Sequence, residues 1–307
     1  MMDVLQALIL TIVTASTPLM LAALGELVVE RSGVLNLGVE GMMLMGAVCG
    51  FAAANLSGSA YVGVIAAIAA GMALSFLFAV LTQVFVANQV ASGLALTLLG
   101  IGLSGMIGES FVGIPGVRLE KLVFPLLSEL PFIGRILFAQ DLVVYLSFLL
   151  AAFVSYVLFR TRIGLIVRAV GNNHHSAHAL GYRVIAVRVL CILAGGACAG
   201  LAGGYLSLAY TPSWVENMTA GRGWIALALV VFASWLPWRV VVGAYLFGTV
   251  TILGFYVQGM GWGIPSQFLS SLPYIVTIIA LVIISANRMV TRANTPACLG
   301  QSFVPDR

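Results

Sequence analysis

The three histidines of this chain lie close together, in a polar segment at residues 160–188 that also carries five arginines. His174, His175 and His178 have the i,i+3 and i,i+4 spacings with which one face of a helix can hold a metal ion. The segment contains no acidic side chain and no cysteine that could complete such a site. The sequence therefore favours a surface helix that faces solvent or another protein, and it predicts no metal site.

The short motifs of hydrolytic and redox catalysis are absent from the sequence. The only lysine, Lys121, stands in Leu-Glu-Lys-Leu and not in a phosphate-binding loop, so the chain is not expected to bind ATP in that way. There is no His-Glu-x-x-His, Gly-x-Ser-x-Gly or Cys-x-x-Cys. The histidines also lack the carboxylates that a membrane-embedded lipid-modifying enzyme would need. We predict no catalytic residue, no cofactor and no enzymatic activity in this chain.

Composition places most of the chain in a membrane. Apolar residues make up 61% of the 307 residues and charged residues only 8%, against about 25% charged residues in a soluble domain. Crossing a bilayer core of about 30 Å takes roughly 20 apolar residues in a helix. The sequence predicts an all-α, polytopic integral membrane protein that forms one transmembrane domain over residues 1–307, with about nine spans and a range of eight to ten. The predicted spans are 5–28, 37–54, 61–85, 89–107, 141–159, 187–209, 223–236, 240–258 and 268–286.

Basic residues near the ends of spans remain on the cytoplasmic side. Placing residues 160–188 inside and alternating the spans leaves ten basic residues inside and four outside. This predicts an inner-membrane protein with its N-terminus outside and its C-terminus in the cytoplasm. The N-terminus lacks the positive region and cleavage site of a signal peptide, so the first span is expected to be retained. The inside residues are Arg31, Arg160, Arg162, Arg168, Arg183, Arg188, Arg239, Arg288, Arg292 and Arg307; the outside ones are Arg118, Lys121, Arg135 and Arg222.

Polar side chains inside apolar segments are costly in lipid, so they mark candidate substrate pathways. Four lie beside glycines or predicted helix starts: Asn36, Glu40, Asn88 and Gln89. Backbone groups left free at such breaks can bind a polar solute. For Asn88 and Gln89 a helix-capping role fits the sequence equally well and stays open. Glu26, Glu30 and Arg31, at the end of the first span, are expected to pair at the membrane interface or with a partner.

Local signals give the parts between the spans a predicted form. Within residues 160–188, Asn172 or Asn173 can cap a short helix over His174–Leu180, and Gly181 can end it in the left-handed conformation. The outside loop at residues 108–140 carries three prolines, and we expect it to form a lid or a short surface helix. In the following span, Gly196, Gly200 and Gly204 recur every four residues, which favours close helix packing over a role in substrate binding.

Two sets of motifs resemble one family of transport proteins. The first set is similar to the cytoplasmic coupling segment of ABC importer permeases of the ribose and branched-chain amino acid type. It consists of Thr161, Gly164, Arg168, Ala169, Gly171 and Asn172, followed by Ala177, Gly181 and residues 199–203. Residues 17–26, 30–43, 87–96 and 221–228 resemble the subgroup that serves simple sugars and nucleosides. Where the family usually has Asn-Pro, this chain has Asn172, Asn173 and His174.

The resemblance implies that this chain is one subunit of a larger importer for a nucleoside, a nucleobase or a simple sugar. The expected partners are two cytoplasmic ABC ATPase subunits, a second permease subunit that is a paralogue or a second copy, and a periplasmic or lipoprotein substrate-binding protein. ATP hydrolysis is then expected in the separate ATPase. The coupling residues that the resemblance implies are Arg168, Gly171, Asn172, His174, Ala177 and Gly181.

One alternative and one weak pattern accompany this interpretation. An ion-coupled secondary transporter of a small polar solute could use Glu40 as a proton relay, although the central spans contain few ionisable side chains. Residues 38–45 and 221–228 also share a faint sequence similarity. Because these two segments run in opposite directions in the predicted topology, they suggest an inverted repeat with a site between its halves.

Overall fold

The computed structural model of the protein describes residues 2–122, 133–260, 263, 265–286 and 294–304. Within these residues the chain is helical, and the one β-type contact is an isolated bridge between Lys121 and Asp141. The helices are α1 (Met2–Arg31), α2 (Val39–Ser57), α3 (Ala60–Ala79), α4 (Gln89–Gly108), α5 (Ile133–Phe138), α6 (Leu142–Arg160), α7 (Arg162–Asn172), α8 (His174–Ala179), α9 (Val184–Tyr205), α10 (Arg222–Phe232), α11 (Pro237–Gly259) and α12 (Ser266–Ala286). Single π-helical turns extend α3 over Val80–Val84 and α9 over Leu206–Tyr210.

The predicted all-helical, polytopic membrane fold is confirmed. In the described part of the chain, seven helices are long and apolar enough to cross a membrane, and they match seven of the predicted spans: α1, α2, α3, α4, α6, α9 and α11. The count of nine is not confirmed. The seventh predicted span, at residues 223–236, contains only α10, whose 11 residues extend about 16 Å and cannot cross the bilayer alone. Helix α12 occupies the position of the ninth predicted span.

Helix α9 is the centre of the bundle and packs against α1, α2 and α3. Its glycines allow the neighbouring backbones to approach closely, as the small-residue pattern predicted. A Cβ atom on Gly200 would collide with the carbonyl oxygen of Ala67, and one on Gly46 or Gly71 would collide with the α9 backbone. Gly204 in turn faces the Ala67 side chain. The periodic glycines are therefore packing residues, which confirms that interpretation.

Basic residues gather at two ends of the molecule. At one, which we call the arginine-rich end, Arg31 and Arg168 both lie over the ring of Phe159. At the opposite end, Arg118 and Lys121 line a small cavity beside the first half of α1. This separation agrees with the charge pattern in the sequence. Arg288, Arg292 and Arg307, which the charge count also used, lie outside the described residues. In the loop at residues 108–140, α5 is a short helix, while residues 123–132 lie outside the described part.

Two helices begin inside the protein body and not at its surface. Residues 32–38, which we call the connector, join α1 to α2, and Gly33 turns the chain with a φ of 87°. Gly41, near the start of α2, packs against the backbone of Leu96 and Thr97. Gly41 lies two positions into α2, and Leu96 and Thr97 lie seven to eight positions into α4, so α2 begins about 8 Å deeper than α4 does. Helix α10 begins beside the same point, after a loop at residues 211–221.

Candidate functional site

Residues 160–188, which we call the coupling segment after the family resemblance, contain two short helices with polar caps. The Thr161 hydroxyl accepts a hydrogen bond from the Gly164 N–H (3.2 Å) and caps α7. Asn173, one of the two predicted caps, accepts from the Ser176 N–H (2.9 Å) and starts α8. Gly181 follows α8 with a φ of 89°, the left-handed conformation that the sequence predicted. The predicted helix at this position is confirmed, with Asn172 as the last residue of α7.

The six residues that the resemblance implies for coupling differ in burial. Gly171, His174 and Ala177 are buried and face the rest of the molecule, whereas Asn172 and Gly181 are exposed. Arg168 is half-buried, donates weakly to the Gly164 carbonyl (3.4 Å) and lies over Phe159. The buried group positions the segment, and only the exposed group can meet another protein directly.

The outer surface of the coupling segment carries four large apolar side chains among its polar ones. Leu180 is 77% exposed and Tyr182 40%. Ile163 and Leu165 on α7 are also exposed. Exposed large apolar side chains beside polar ones are typical of a protein contact. Their flanking glycine and arginines were visible in the sequence, but which way each side chain faces depends on the helix packing.

Gly171 is the contact between the coupling segment and the end of α1. Its Cα lies so close to Arg31 that an added Cβ would collide with the Arg31 carbonyl oxygen. Its own carbonyl accepts from the Cys298 N–H (2.9 Å). The Gly33 carbonyl in the connector accepts from the Gly300 N–H (3.1 Å). Residues 294–304, which we call the C-terminal tail, therefore join the coupling segment to the connector.

The C-terminal tail carries an aromatic anchor, Phe303, whose position no pattern in the sequence predicted. Phe303 is buried, and its ring lies 5.2 Å from the ring of His174, 5.7 Å from that of His175 and 5.4 Å from that of His178. Val170, Ala177 and Val184 complete this small core. The three histidines thus pack around a phenylalanine, and within the described residues no group of metal-ligating side chains occurs.

His174 also contacts Arg188, the most buried of the arginines whose burial the structure describes. Arg188 is fully buried, and its guanidinium lies 3.1 Å from Nδ1 of His174. It also donates to the carbonyl oxygens of Ser32 (3.3 Å) and Gln301 (3.0 Å). Burial, together with the neighbouring charge of Arg188 and with His175, lowers the pKa of His174 from 6.5 to about 4. At neutral pH the ring is therefore neutral, and Nδ1 can accept from Arg188.

Two of the four candidate pathway residues, Asn36 and Gln89, accept hydrogen bonds from the connector, and a third, Glu40, lies just beyond it. The Leu35 N–H donates to Oε1 of Gln89 (2.8 Å), and the side-chain oxygen of Asn36 accepts from the Gly38 N–H (3.0 Å) just before α2. The fourth, Asn88, caps α4 by accepting from the Ala91 N–H (3.0 Å). Each of these amides has a structural partner, and a part in the pathway stays a prediction.

Glu40 joins the starts of α2 and α10. Its carboxylate is buried and accepts from the Thr219 hydroxyl, the Gly221 N–H (2.8 Å) and the Gly223 N–H (2.6 Å). The first N–H groups of a helix have no partner within the helix and carry a partial positive charge. A carboxylate is the side chain that best satisfies them. The two segments with the faint sequence similarity thus meet at Glu40, although the inverted repeat itself stays a prediction.

Glu26, Glu30 and Arg31 pair inside this chain. The Trp235 indole N–H donates to Glu30, and Arg31 donates to the Trp235 carbonyl (2.8 Å). The Asn36 N–H donates to Oε1 of Glu26 (3.2 Å). All three charged residues are buried. The end of α1, the connector and the turn after α10 are therefore held together by polar contacts at the arginine-rich end.

Comparison with known proteins agrees with this architecture. The chain is 41% identical to a putative glucose ABC transporter permease protein of Haloferax volcanii, over 95% of each chain. It is 32% identical to a nucleoside ABC transporter permease protein of Lactococcus lactis, over 95% of this chain and 96% of the relative. It is also 32% identical to a guanosine ABC transporter permease protein of Bacillus subtilis, over 99% of both. No solved structure matches the chain. Residues 8–285 match the family described as branched-chain amino acid transport system / permease component, and the chain belongs to that family.

Proposed function

We propose that this chain is the membrane-spanning permease subunit of an ABC importer that carries a nucleoside, a nucleobase or a simple sugar into the cell. The observation that carries the proposal is the coupling segment, a short capped helix pair with exposed apolar side chains and a buried side fixed to the connector. The relatives named as glucose, nucleoside and guanosine permeases support the substrate classes.

The energy source in this proposal is a separate pair of ABC ATPase subunits that bind the coupling segment. The C-terminus and the arginine-rich end then lie in the cytoplasm and the N-terminus outside, in accord with the excess of arginine at that end. A substrate-binding protein delivers the cargo to the opposite end. A second permease subunit, either a paralogue or a second copy of this chain, completes the pathway.

A chain of direct contacts can carry movement from the ATPase to the middle of the membrane. A push on α8 reaches the end of α1 through Gly171 and its contact with Arg31. The C-terminal tail reaches the connector through Gly33 and Arg188. The connector leads to Glu40, which holds the start of α10. Rigid-body movement of packed helices is an established route to alternating access.

The alternative, an ion-coupled carrier with Glu40 as its proton relay, is less consistent with the geometry. Both oxygens of the Glu40 carboxylate accept hydrogen bonds, from one hydroxyl and two backbone N–H groups. Two of these three donors are backbone N–H groups, which can donate but cannot accept a hydrogen bond. A carboxylate held in this way is suited to a fixed structural role and not to repeated proton transfer.

The proposal is tested first by the dependence of uptake on the ATPase. Removing the ATPase subunit of the same transporter should abolish uptake of labelled guanosine or glucose by intact cells, and a protonophore at constant ATP should leave uptake unchanged. Uptake that continues at full rate without the ATPase, or that follows the proton gradient at constant ATP, would refute the proposal.

A second test locates the ATPase contact. A Leu180→Cys variant should crosslink to the ATPase, because Leu180 is exposed on the coupling segment. The matched control is Leu56→Cys, an equally exposed leucine at the far end of α2, which should not crosslink. A crosslink from residue 56 and none from residue 180 would reverse the proposed orientation.

A further inference from the structure

A cavity of about 270 Å³ opens between α10, α11 and α12, away from the arginine-rich end. Its wall includes the last turns of α11 up to Gln258 and the first residues of α10. Arg222 stands 13 positions before Trp235, which binds Glu30 at the arginine-rich end, so the cavity lies roughly 15–20 Å above that end. None of the residues that line it is among the pathway residues that the sequence predicted.

The lining combines a cation, neutral polar groups and aromatic rings. Arg222, Thr251, Gln258 and Tyr274 contribute polar groups, and Phe255 contributes a second ring. Both rings are well exposed, Phe255 by 59% and Tyr274 by 49%. Small-molecule sites typically have such an apolar lining with a few placed polar groups, in volumes from about 300 Å³ upward. A cavity of this size suits one small solute and not an oligomer.

Arg222 has donors available to a ligand. A guanidinium carries five N–H donors, and one of its nitrogens donates to the Met218 carbonyl (3.2 Å) while the group lies over the Tyr210 ring at 5.3 Å. These contacts fix the plane of the guanidinium. A planar group with several parallel donors recognises a ligand that offers two acceptors side by side.

The cavity wall is joined to the contacts that lead from the coupling segment. Ala220 and Arg222 line the cavity, and between them the Gly221 N–H donates to Glu40 (2.8 Å). The hydroxyl of Tyr274 lies near Gly221, 3.5 Å from the position of an added Cβ. Movement of the connector would therefore reach the cavity wall through Glu40. A site at this place would be opened or closed by the same contacts that we propose for coupling.

We propose that this cavity is a substrate site within the permease, and that its ligand is a nucleoside with a 6-oxopurine base, such as guanosine or inosine. The inference rests on the proposed function and deepens it. The base stacks against Tyr274 and Phe255, as bases do on aromatic side chains in general. Arg222 donates to O6 and N7 of the base, the pairing that guanidinium groups make with guanine. Gln258 and Thr251 bind the ribose hydroxyls.

The test uses the complete importer, with its ATPase and binding protein, in proteoliposomes. Uptake of labelled guanosine, inosine, adenosine and glucose is measured for the wild type and for Arg222→Gln. Adenosine has an amino group in place of O6, so the variant should lose the preference for guanosine and inosine over adenosine. We expect kcat/KM for guanosine to fall by about tenfold or more, with a much smaller change for adenosine.

Arg118→Gln is the matched control, because it removes the same charge at the same end of the molecule from a different cavity. It should keep the wild-type preference. Tyr274→Leu is a second variant that keeps the charge and should raise KM for every nucleoside by loss of stacking.

An equal loss for guanosine and adenosine in Arg222→Gln, or unchanged kinetics in both cavity variants, would overturn this site. Uptake of glucose without uptake of any nucleoside would overturn the assigned ligand while leaving the proposed function intact. ATP-independent uptake would instead refute the proposed function itself.

Discussion

Replacement of Phe303 by alanine should release the C-terminal tail from the coupling segment. The ring is 4% exposed and packs against all three histidines at centroid distances of 5.2–5.7 Å. Truncation of a buried phenylalanine costs about 3–5 kcal/mol. Here the cost falls on the docking of the tail, because the seven membrane-spanning helices do not depend on Phe303. At about 1.4 kcal/mol per tenfold, the docked population should fall by at least a factor of ~100 relative to the detached one.

Cys298 offers a direct measure of this release. Its Sγ lies 3.4 Å from the Asn172 carbonyl, and its N–H is bound to Gly171. Maleimide labelling of Cys298, followed by mass spectrometry, should be much faster in Phe303→Ala than in the wild type. Val304→Ala is the control, because that neighbour is 57% exposed. In the complete importer, Phe303→Ala should also hydrolyse ATP with little uptake. Wild-type labelling together with wild-type uptake in Phe303→Ala would refute the reasoning.

Three further predictions concern single contacts. Glu40→Gln places an amide N–H against the donors that Glu40 now binds, the Gly221 and Gly223 N–H groups among them. The melting temperature in detergent should therefore fall, by an amount that corresponds to about 1–3 kcal/mol. An unchanged melting temperature would contradict the role of Glu40. Gly200→Ala should destabilise the bundle by about 1–3 kcal/mol through overpacking. Gly102→Ala is the control, because its added Cβ meets open space. Equal effects of the two variants on thermal unfolding would contradict the close packing of α9 at Gly200. Burial beside Arg188 lowers the pKa of His174 from 6.5 to about 4, so the docking energy that depends on neutral His174 is present above pH 6.5 and is lost as the pH falls towards 4. Because maleimide reacts with the thiolate, the Cys298 labelling rate is divided by that of a free thiol at the same pH; this ratio should rise over that range, and His174→Gln should remove the rise.

Hydropathy predicted most of the bundle because lipid imposes a simple rule on composition and length. The exception is residues 223–236, which are as apolar as a span. The chain there forms only the short helix α10, because the loop before it enters the protein body and Glu40 satisfies its first N–H groups. Composition records that a segment avoids water. It does not record where the segment starts along the membrane normal.

The C-terminal tail was beyond sequence reasoning for a different reason. Its contacts join residues far apart in the chain, such as Arg188 with Gln301 and Gly171 with Cys298. No periodic pattern marks an extended segment that packs by one aromatic side chain and a few backbone hydrogen bonds. The three histidines, whose spacing on a helix can hold a metal ion, instead contact Phe303 of the tail. Their spacing placed them on one helix, but it carried no information about what they face.

The polar residues chosen as pathway candidates show why such residues are both informative and ambiguous. A helix that breaks inside the membrane leaves N–H groups without partners, and in lipid these must be satisfied by side chains. Asn36, Gln89 and Glu40 do this for the connector and for the starts of α2 and α10. Each is therefore required by a broken helix, whether or not it touches cargo. Broken helices are also where a transporter can bind solute and change shape. A buried polar side chain in such a protein thus locates the break, and the ligand is to be sought in the cavity that the break borders.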